Sequence, residues 1–190
     1  MDEDMDEVEI LPLLRERRSV RAYDESHLLG DDALASLLEA ARWAPSAGNS
    51  QPWAFLVGRR GDAAHRMFVE HLAPSVRRWA PSASALVFTL HQTASGPEDD
   101  ALVYSDYAAY DLGQAVAHLT VQASALGLSS HQFAAFDHDG LAAAAGVPAH
   151  WSLTTGVAIG RGVVSDLAAR TRRPLGEIAY GARFGASLTL

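Results

Sequence analysis

Two amide side chains lie close together in a short stretch bounded by prolines. The stretch covers residues 44–53, APSAGNSQPW, and it holds Asn49 and Gln51 beside Ser50. A carboxamide both donates and accepts hydrogen bonds, which suits the polar edge of a planar heterocycle. An arginine-rich segment, residues 15–21 (RERRSVR), lies upstream and supplies cations that neutralise a phosphate. Together the two segments indicate a nucleotide-like cofactor.

The arginines are distributed unevenly along an acidic chain. The formal net charge is −8, yet seven of the 15 arginines fall within residues 15–21 and 170–173. The planar fork of arginine binds phosphate oxygens bidentately, so these clusters indicate a confined anionic ligand. Solvated charges at helix ends are the alternative for each cluster taken alone. The negative net charge argues against broad nucleic-acid binding, which needs a basic face.

The residue types that are missing exclude several classes of chemistry. The chain contains no cysteine and no lysine. The lack of cysteine excludes disulfides, thiolate nucleophiles, cysteine-ligated iron–sulfur clusters and cysteine zinc sites. The lack of lysine excludes a pyridoxal phosphate Schiff base and the usual phosphate-binding loop of nucleoside triphosphatases. The 8 histidines do not pair at metal-ligand spacing, so we expect no metal site.

The length and composition predict one domain. With 190 residues, of which 48% are hydrophobic, the chain is long enough for a sizeable core. We expect an acidic leader at residues 1–9 and a single domain at residues 10–190. The acidic start differs from the cationic start of a secretion signal, and no apolar run approaches the roughly 20 residues that span a bilayer. These features predict a cytoplasmic protein with no membrane segment.

The hydrophobic patterns predict helices that alternate with strands. Helical periodicity covers residues 8–17, 31–43, 61–80 and 106–127, and short apolar runs predict strands at 53–57, 85–90, 131–136 and 153–159. This alternation favours helices packed on both faces of a small sheet. Asp31 or Asp32 is the expected N-cap of the second helix, and Gly127 the expected end of the fourth. The tail after residue 163 is less regular, which suggests contact with a partner subunit.

At this point the sequence resembles the nitroreductase-like flavoproteins, which are FMN-dependent NAD(P)H oxidoreductases. Residues 17–23 (RRSVRAY) are similar to their opening Arg-x-Ser-x-Arg/Lys-x-Phe/Tyr element, and residues 45–53 (PSAGNSQPW) to their Pro-Ser-x-x-Asn-x-Gln-Pro-Trp element. Residues 111–127 and 131–137 resemble their central helix and the strand after it, and residues 170–177 (RTRRPLGE) their basic C-terminal element. The resemblance extends over most of the chain in the right order.

The resemblance implies which residues hold the cofactor. Arg17, Ser19 and Arg21 would hold the phosphate and ribityl end, while Asn49 and Gln51 would bind the flavin from the other subunit. The backbone at Ala134–Ala135, where relatives often carry glycines, would face the flavin N5. The full set implied for cofactor binding is Arg17, Arg18, Ser19, Arg21, Pro45, Ser46, Asn49, Gln51, Gln114, Ala134, Ala135, Arg170, Arg172 and Arg173.

The resemblance also implies a fold and an assembly. The expected fold is α+β with three layers (α/β/α), in which helices flank a small mixed, mainly antiparallel sheet. The expected assembly is a homodimer with FMN at its interface and an exchanged C-terminal segment. No side chain is expected to act as acid or base, because the flavin supplies the redox chemistry.

Several functions remain open on the sequence alone. The first is an FMN-dependent reductase that passes a hydride from NAD(P)H to a nitroaromatic, a quinone or a specialised metabolite. A specialised flavin-dependent dehydrogenase or dehalogenase, and a non-catalytic flavin-binding protein, are the alternatives. A third possibility is a protein without a cofactor, whose arginines are surface charge. Candidate pocket walls, for which core packing is the more frequent role, are Met67, Phe68, Trp79, Tyr104, Tyr107 and Phe133.

Overall fold

The computed structural model describes residues 8–98, 104–163 and 170–189. Most of the expected acidic leader therefore lies outside the described residues. The helices are α1 (Pro12–Glu16), α2 (Asp31–Arg42), α3 (Ala63–Glu70), α4 (Pro74–Arg77), α5 (Ala108–Ala125) and α6 (His138–Ala144). The strands are β1 (Trp53–Arg59), β2 (Ala85–Gln92), β3 (Ser129–Phe133) and β4 (Trp151–Gly160). Short 3-10 turns cover Ala47–Asn49, Ala80–Ser82 and Leu175–Glu177.

The four strands form one sheet in the order β1-β2-β4-β3. Every pairing among these strands is antiparallel, with Phe55 opposite Thr89 and Phe133 opposite Gly156. The strands β1 and β3 are therefore the two edges. The predicted α+β fold with a mainly antiparallel sheet is confirmed.

The alternation of side chains along β2 builds a core on each face of the sheet. Leu86 and Phe88 contribute to one core, whereas Ala85 and Val87 contribute to the other. Successive side chains of a strand point to opposite faces, so a strand buried on both sides is apolar throughout. Helices α2 and α5 cover one face, and α3, α4 and α6 lie on the other. The three layers follow directly from this.

Prolines set two helix boundaries that periodicity alone misplaces. The predicted helix at residues 8–17 begins only at Pro12, because Leu11 before it has an extended ψ of 128°. The predicted helix at residues 61–80 is divided in two, since Pro74 begins a new helix and cannot continue α3.

The predicted N-cap of α2 is wrong. Gly30 occupies that position, and Asp31 and Asp32 lie in the first turn.

A short turn connects the end of α5 to the edge strand β3. Gly127 has φ +70°, and its N–H donates to the Ser124 carbonyl at 3.0 Å. The N–H of Leu128 donates to the Ala123 carbonyl at 2.8 Å, which completes a Schellman motif. The predicted role of Gly127 is thus confirmed. The predicted strand at 131–136 starts earlier, at Ser129, and leaves the sheet after Phe133.

The described part of the tail has little packing of its own. Residues 170–189 contain one 3-10 turn and an isolated bridge between Tyr180 and Ser187, and most of their side chains are exposed. Phe184 is 93% exposed. None of the helices in the described ranges has the length and apolar character that a membrane span requires.

Candidate functional site

The first arginine segment follows α1 and runs against β3 in an extended conformation. The backbone leaves α1 at Arg17 (φ −48°, ψ 132°). His131 Nδ1 on β3 lies 2.8 Å from the carbonyl oxygen of Val20, so this ring nitrogen donates. Val20 and Tyr23 are buried, whereas Ser19 and Arg21 are exposed between them. The alternation leaves the polar side chains of the segment on the outer surface.

The buried Tyr23 and the partly buried His131 anchor this segment. The Tyr23 hydroxyl donates to the Ala158 carbonyl at 3.2 Å, and burial raises the pKa of Tyr23. Burial also lowers the pKa of His131, and repulsion from Arg21 and Arg17 adds to that effect. These two guanidinium groups therefore lie close to the start of β3.

The second arginine segment joins the first. The Arg170 guanidinium donates to the backbone carbonyl of Arg15, 155 positions away in the sequence. Arg170 and Arg172 line a cavity of about 410 Å³ together with Arg18. A neighbouring cavity of about 250 Å³ is lined by Arg17, Arg18 and the turn at residues 127–129. Two basic segments that are distant in sequence thus meet beside α1, and the first of them also lines the cavity at the turn between α5 and β3.

Positive charge predominates in this cluster, although Glu16 lines the same cavity as Arg17 and Arg18. Burial lowers the pKa of Arg170, and repulsion from Arg18, Arg172 and Arg17 lowers it further. Among the described residues, no carboxylate forms an ion pair with any of these four side chains. The Nε of Arg170 is buried and has no hydrogen-bond partner. A phosphate, which accepts several hydrogen bonds and carries negative charge, fits this arrangement.

The arginines of the cluster do not all have the same role. Arg17 donates to the Ser19 hydroxyl at 3.3 Å, so this pair lies together. Arg18 donates to the carbonyls of Arg15 and Glu16 at 3.0 and 3.3 Å, and it therefore caps the C-terminal end of α1. Arg173 is exposed and lies beside Arg172 in sequence.

The amide-bearing loop has an unusual backbone. Gly48, Asn49 and Gln51 have φ values of +59°, +54° and +50°. Asn49 and Gln51 are the only non-glycine residues with positive φ in the part of the chain that the structure describes. For a glutamine this conformation is uncommon, and such a residue costs of the order of 1–3 kcal/mol. Strain of this kind persists only where the surroundings hold it.

Hydrogen bonds from the start of α5 hold the loop in this shape. The Ala47 N–H donates to Asp111 Oδ2 at 3.0 Å, and Asp111 is only 2% exposed. Gln114 Nε2 donates to Asp111 Oδ1 at 3.3 Å and contacts the Pro45 carbonyl at 3.5 Å. No motif in the sequence points to a role for Asp111. The available signal is that Asp111 is the one carboxylate of α5.

Further hydrogen bonds close the loop on itself. The Gln51 N–H donates to the Ser46 hydroxyl at 2.9 Å, and Gln51 Nε2 donates to the Asn49 carbonyl at 3.2 Å. Tyr104, which the sequence suggested as a pocket wall, donates its hydroxyl to the Ser50 carbonyl at 2.7 Å. Asn49 and Gln51 are nevertheless exposed. Their side chains are presented on a fixed backbone.

The loop and the arginine cluster lie at opposite ends of α5. Asp111 holds the loop in the first turn of this helix, whereas Ser124 lines the cavity beside Arg17 in the last turn. Since a helix rises 1.5 Å per residue, the two ends are about 20 Å apart. One chain therefore does not bring the loop and the arginine cluster together.

The segment after β3 offers backbone donors. Ala134 and Ala135 are exposed, and within the described ranges neither N–H has a hydrogen-bond partner. Neither residue has positive φ, so alanine is not strained at these two positions. Arg17 and Arg18 lie at the start of β3, and the free N–H groups of residues 134–135 follow its end. Cations and backbone donors therefore lie at opposite ends of this edge strand.

Comparison with known proteins shows what the chain is similar to. A sequence model described as the nitroreductase family matches residues 14–94, a range that contains the first arginine segment and the amide loop. A solved structure of an oxidoreductase containing FMN is 29% identical, with a TM-score of 0.86 and coverage of 96% of both chains. A putative nitroreductase from Desulfovibrio desulfuricans, in complex with FMN, is 25% identical, with a TM-score of 0.71 over 94% of this chain and 99% of that one.

The chain is thus similar to proteins of the nitroreductase family, most directly over residues 14–94. A putative NADH dehydrogenase/NAD(P)H nitroreductase from Archaeoglobus fulgidus is 41% identical over 59 residues. That match covers 31% of this chain, and it spans only 33% of the relative's length.

Most of the suggested pocket walls fill the core. Phe68 and Phe133 are buried, and Met67 and Trp79 pack against the same core. Tyr107 is exposed at the start of α5. Core packing therefore accounts for Phe68, Phe133, Met67 and Trp79 without a ligand pocket.

The strain at Gln51 is testable through stability. We expect Gln51→Gly to be more stable than Gln51→Ala by about 1 kcal/mol, because both variants lose the side chain but only glycine adopts positive φ without a steric cost. Urea unfolding of the two cofactor-free variants measures the difference. Equal unfolding free energies would show that the loop is not strained at this position.

Proposed function

We propose that this chain binds FMN and, as a homodimer, passes a hydride from NAD(P)H to a small organic acceptor such as a nitroaromatic or a quinone. The observation that carries the proposal is that Arg170 and Arg172 share a cavity with Arg18, which together with Arg17 also lines a neighbouring cavity at the start of β3. The free N–H groups of residues 134–135 at the other end of the strand suit the polar edge of the isoalloxazine. The FMN-containing structural neighbours support this assignment.

Different residues of the chain would bind different parts of the cofactor. Arg17, Arg170 and Arg172 would hold the phosphate, and Ser19 would add a hydroxyl donor. Arg21, which lies beside them on the exposed face, would place positive charge near the ring. A cation there favours the reduced flavin, which carries negative charge near N1. Bound FMN supplies the hydride chemistry, so no side chain of the protein has to act as an acid or base.

The geometry favours a second copy of the chain as the donor of the amide loop. Within one chain the loop stands about 20 Å from the arginine cluster, at the far end of α5. Large exposed aromatic side chains flank the loop: Trp43 is 71%, Tyr107 63% and Tyr110 69% exposed. Exposed apolar groups of this size mark an interaction surface. A homodimer would cover them and bring Asn49 and Gln51 to the partner's cofactor.

The first test reverses the charge of two arginines that would bind the phosphate. We expect Arg17→Glu combined with Arg172→Glu to weaken FMN binding by about 100-fold or more, because each lost charge-assisted hydrogen bond contributes roughly 1.5–3 kcal/mol. Quenching of FMN fluorescence measures the dissociation constant. The matched control is Arg66→Glu with Arg78→Glu, two exposed arginines on the opposite face. Equal losses in both double variants would contradict a specific phosphate site.

The second test asks whether the site is shared between copies. We expect the Arg17→Glu/Arg172→Glu chain and an Asn49→Ala/Gln51→Ala chain to bind little FMN as separate homodimers. A mixed dimer contains one site with both wild-type halves, so it should bind one FMN per dimer. Differently tagged, co-expressed chains allow the mixed species to be isolated for flavin quantification. A mixed dimer that stays empty while the wild type holds flavin would place both halves of the site in one chain.

The third test concerns turnover. On stopped-flow mixing with NADH or NADPH, we expect the oxidised flavin band near roughly 450 nm to bleach, and menadione or nitrofurazone to restore it. The Arg17→Glu/Arg172→Glu variant, which should lack flavin, serves as the blank. A yellow protein whose absorbance does not change would instead indicate the non-catalytic flavin-binding alternative.

A further inference from the structure

The imidazole of His138 lies between two backbone carbonyls. Its Nδ1 is 3.1 Å from the Leu153 oxygen on β4, and its Nε2 is 3.2 Å from the Ala134 oxygen. A carbonyl oxygen only accepts hydrogen bonds, so a ring nitrogen that carries a hydrogen donates to the oxygen beside it. The ring of His138 thus lies between the sheet and the segment after β3, within hydrogen-bond distance of both.

Aromatic packing and a helix cap fix the position of this ring. His138 stacks on Phe136 with ring centroids 3.8 Å apart and an interplanar angle of 19°. Phe136 is buried and makes an edge contact with Phe88 at 4.9 Å. Asp137 caps α6 by accepting from the Gly140 N–H at 3.0 Å, which makes His138 the first residue of that helix. The ring therefore has little freedom to leave the two carbonyls.

The carbonyl that His138 holds belongs to a peptide whose N–H is free. The Ala134 carbonyl and the Ala135 N–H form one planar unit, in which the two groups point in opposite directions. The Ala135 N–H has no hydrogen-bond partner among the residues described. The next carbonyl, that of Ala135, accepts from the Ala73 N–H at 3.1 Å. The Ala134 carbonyl also accepts from the Phe136 N–H at 3.1 Å, so His138 is the side-chain donor beside a backbone donor. Holding this carbonyl in place holds the direction of the Ala135 N–H on the opposite side of the peptide.

We propose that His138 is a positioning residue that aims the Ala135 N–H at N5 of the flavin. This inference rests on the proposed function, since it needs FMN along the β3 edge. Other charged or titratable groups near the ring are Asp137 and Asp139 on its own segment and His71 from the end of α3. His71 Nδ1 lies 3.7 Å from an Asp137 carboxylate oxygen and does not contact Ala134.

The positioning has a consequence for the redox equilibrium. Oxidised N5 has a lone pair that accepts a hydrogen bond, whereas reduced N5 carries a hydrogen. A well-aimed N–H donor therefore favours the oxidised flavin. Loosening the Ala134–Ala135 peptide should weaken that preference by about threefold to tenfold, the effect of one hydrogen bond. A tenfold change corresponds to a shift of about 30 mV in a two-electron couple.

The experiment compares two substitutions that separate stacking from hydrogen bonding. His138→Phe keeps an aromatic ring on Phe136 but removes both donors, and His138→Gln retains a carboxamide that can still donate. We expect the midpoint potential of bound FMN to become more positive in His138→Phe and to shift less in His138→Gln. His71→Gln is the matched control, because it removes a neighbouring imidazole that does not touch Ala134. Its potential should stay at the wild-type value.

A second readout does not depend on the cofactor. In the FMN-free protein, the backbone amide resonances of Ala134 and Ala135 should shift or broaden in His138→Phe and remain in place in His71→Gln. If wild-type protein takes up no FMN, the proposed function is wrong. The amide resonances of Ala134 and Ala135 still test whether His138 positions this segment. An unchanged potential and unchanged amide resonances in His138→Phe would overturn the inference. So would an equal change in His71→Gln. If His138→Phe does not fold, His138→Ala, which also removes both ring donors, takes its place in the comparison.

Discussion

Mutual repulsion among clustered guanidinium groups is the constraint on which the proposed site depends. Burial lowers the pKa of Arg170, and repulsion from Arg18, Arg172 and Arg17 adds to that effect. In the described ranges no carboxylate forms an ion pair with these four side chains, although Glu16 lines the cavity beside Arg17 and Arg18. An arrangement of this kind costs stability in the absence of an anion. A phosphorylated ligand would relieve the repulsion and satisfy the buried Arg170 Nε.

The rest of the site is arranged relative to that cluster by two elements. The edge strand β3 starts beside the arginines and ends at the free N–H groups of residues 134–135, so it provides a path for an elongated ligand. The helix α5 keeps the strained amide loop at its opposite end, where the buried Asp111 holds the loop backbone. This separation explains why a second copy of the chain is needed in the proposed site. It also accounts for exposed aromatic side chains next to the loop.

Rigidity is common to both ends of the proposed site. The amide loop keeps two non-glycine residues at positive φ, and buried hydrogen bonds stabilise that shape. The segment after β3 is held by stacking, by a helix cap and by His138 between two carbonyls. In both cases polar groups are presented on backbone that is fixed before a ligand binds. Fixed donors lose little entropy on binding, and they keep their direction during a redox cycle.

Much of the fold was predictable because its signals are local. The apolar runs of β1, β2, β3 and β4 and the periodicity of α5 depend on residues a few positions apart, as does the glycine that ends α5. The helix boundaries at Pro12 and Pro74 are not visible in the hydrophobic periodicity, because they follow from the backbone limits that proline imposes. The residue types of the arginine segments and of the amide loop were also readable, together with the resemblance that they carry.

What the sequence determined by itself was the set of polar groups and the order of the elements. The tertiary structure decided which of these groups meet. Arg170 contacts the carbonyl of a residue 155 positions away, and His131 contacts one 111 positions away. Asp111 and His138 act on backbone groups, and backbone groups leave no trace in residue identity. Such contacts follow from strand order and helix packing, which couple distant residues and which no local pattern encodes.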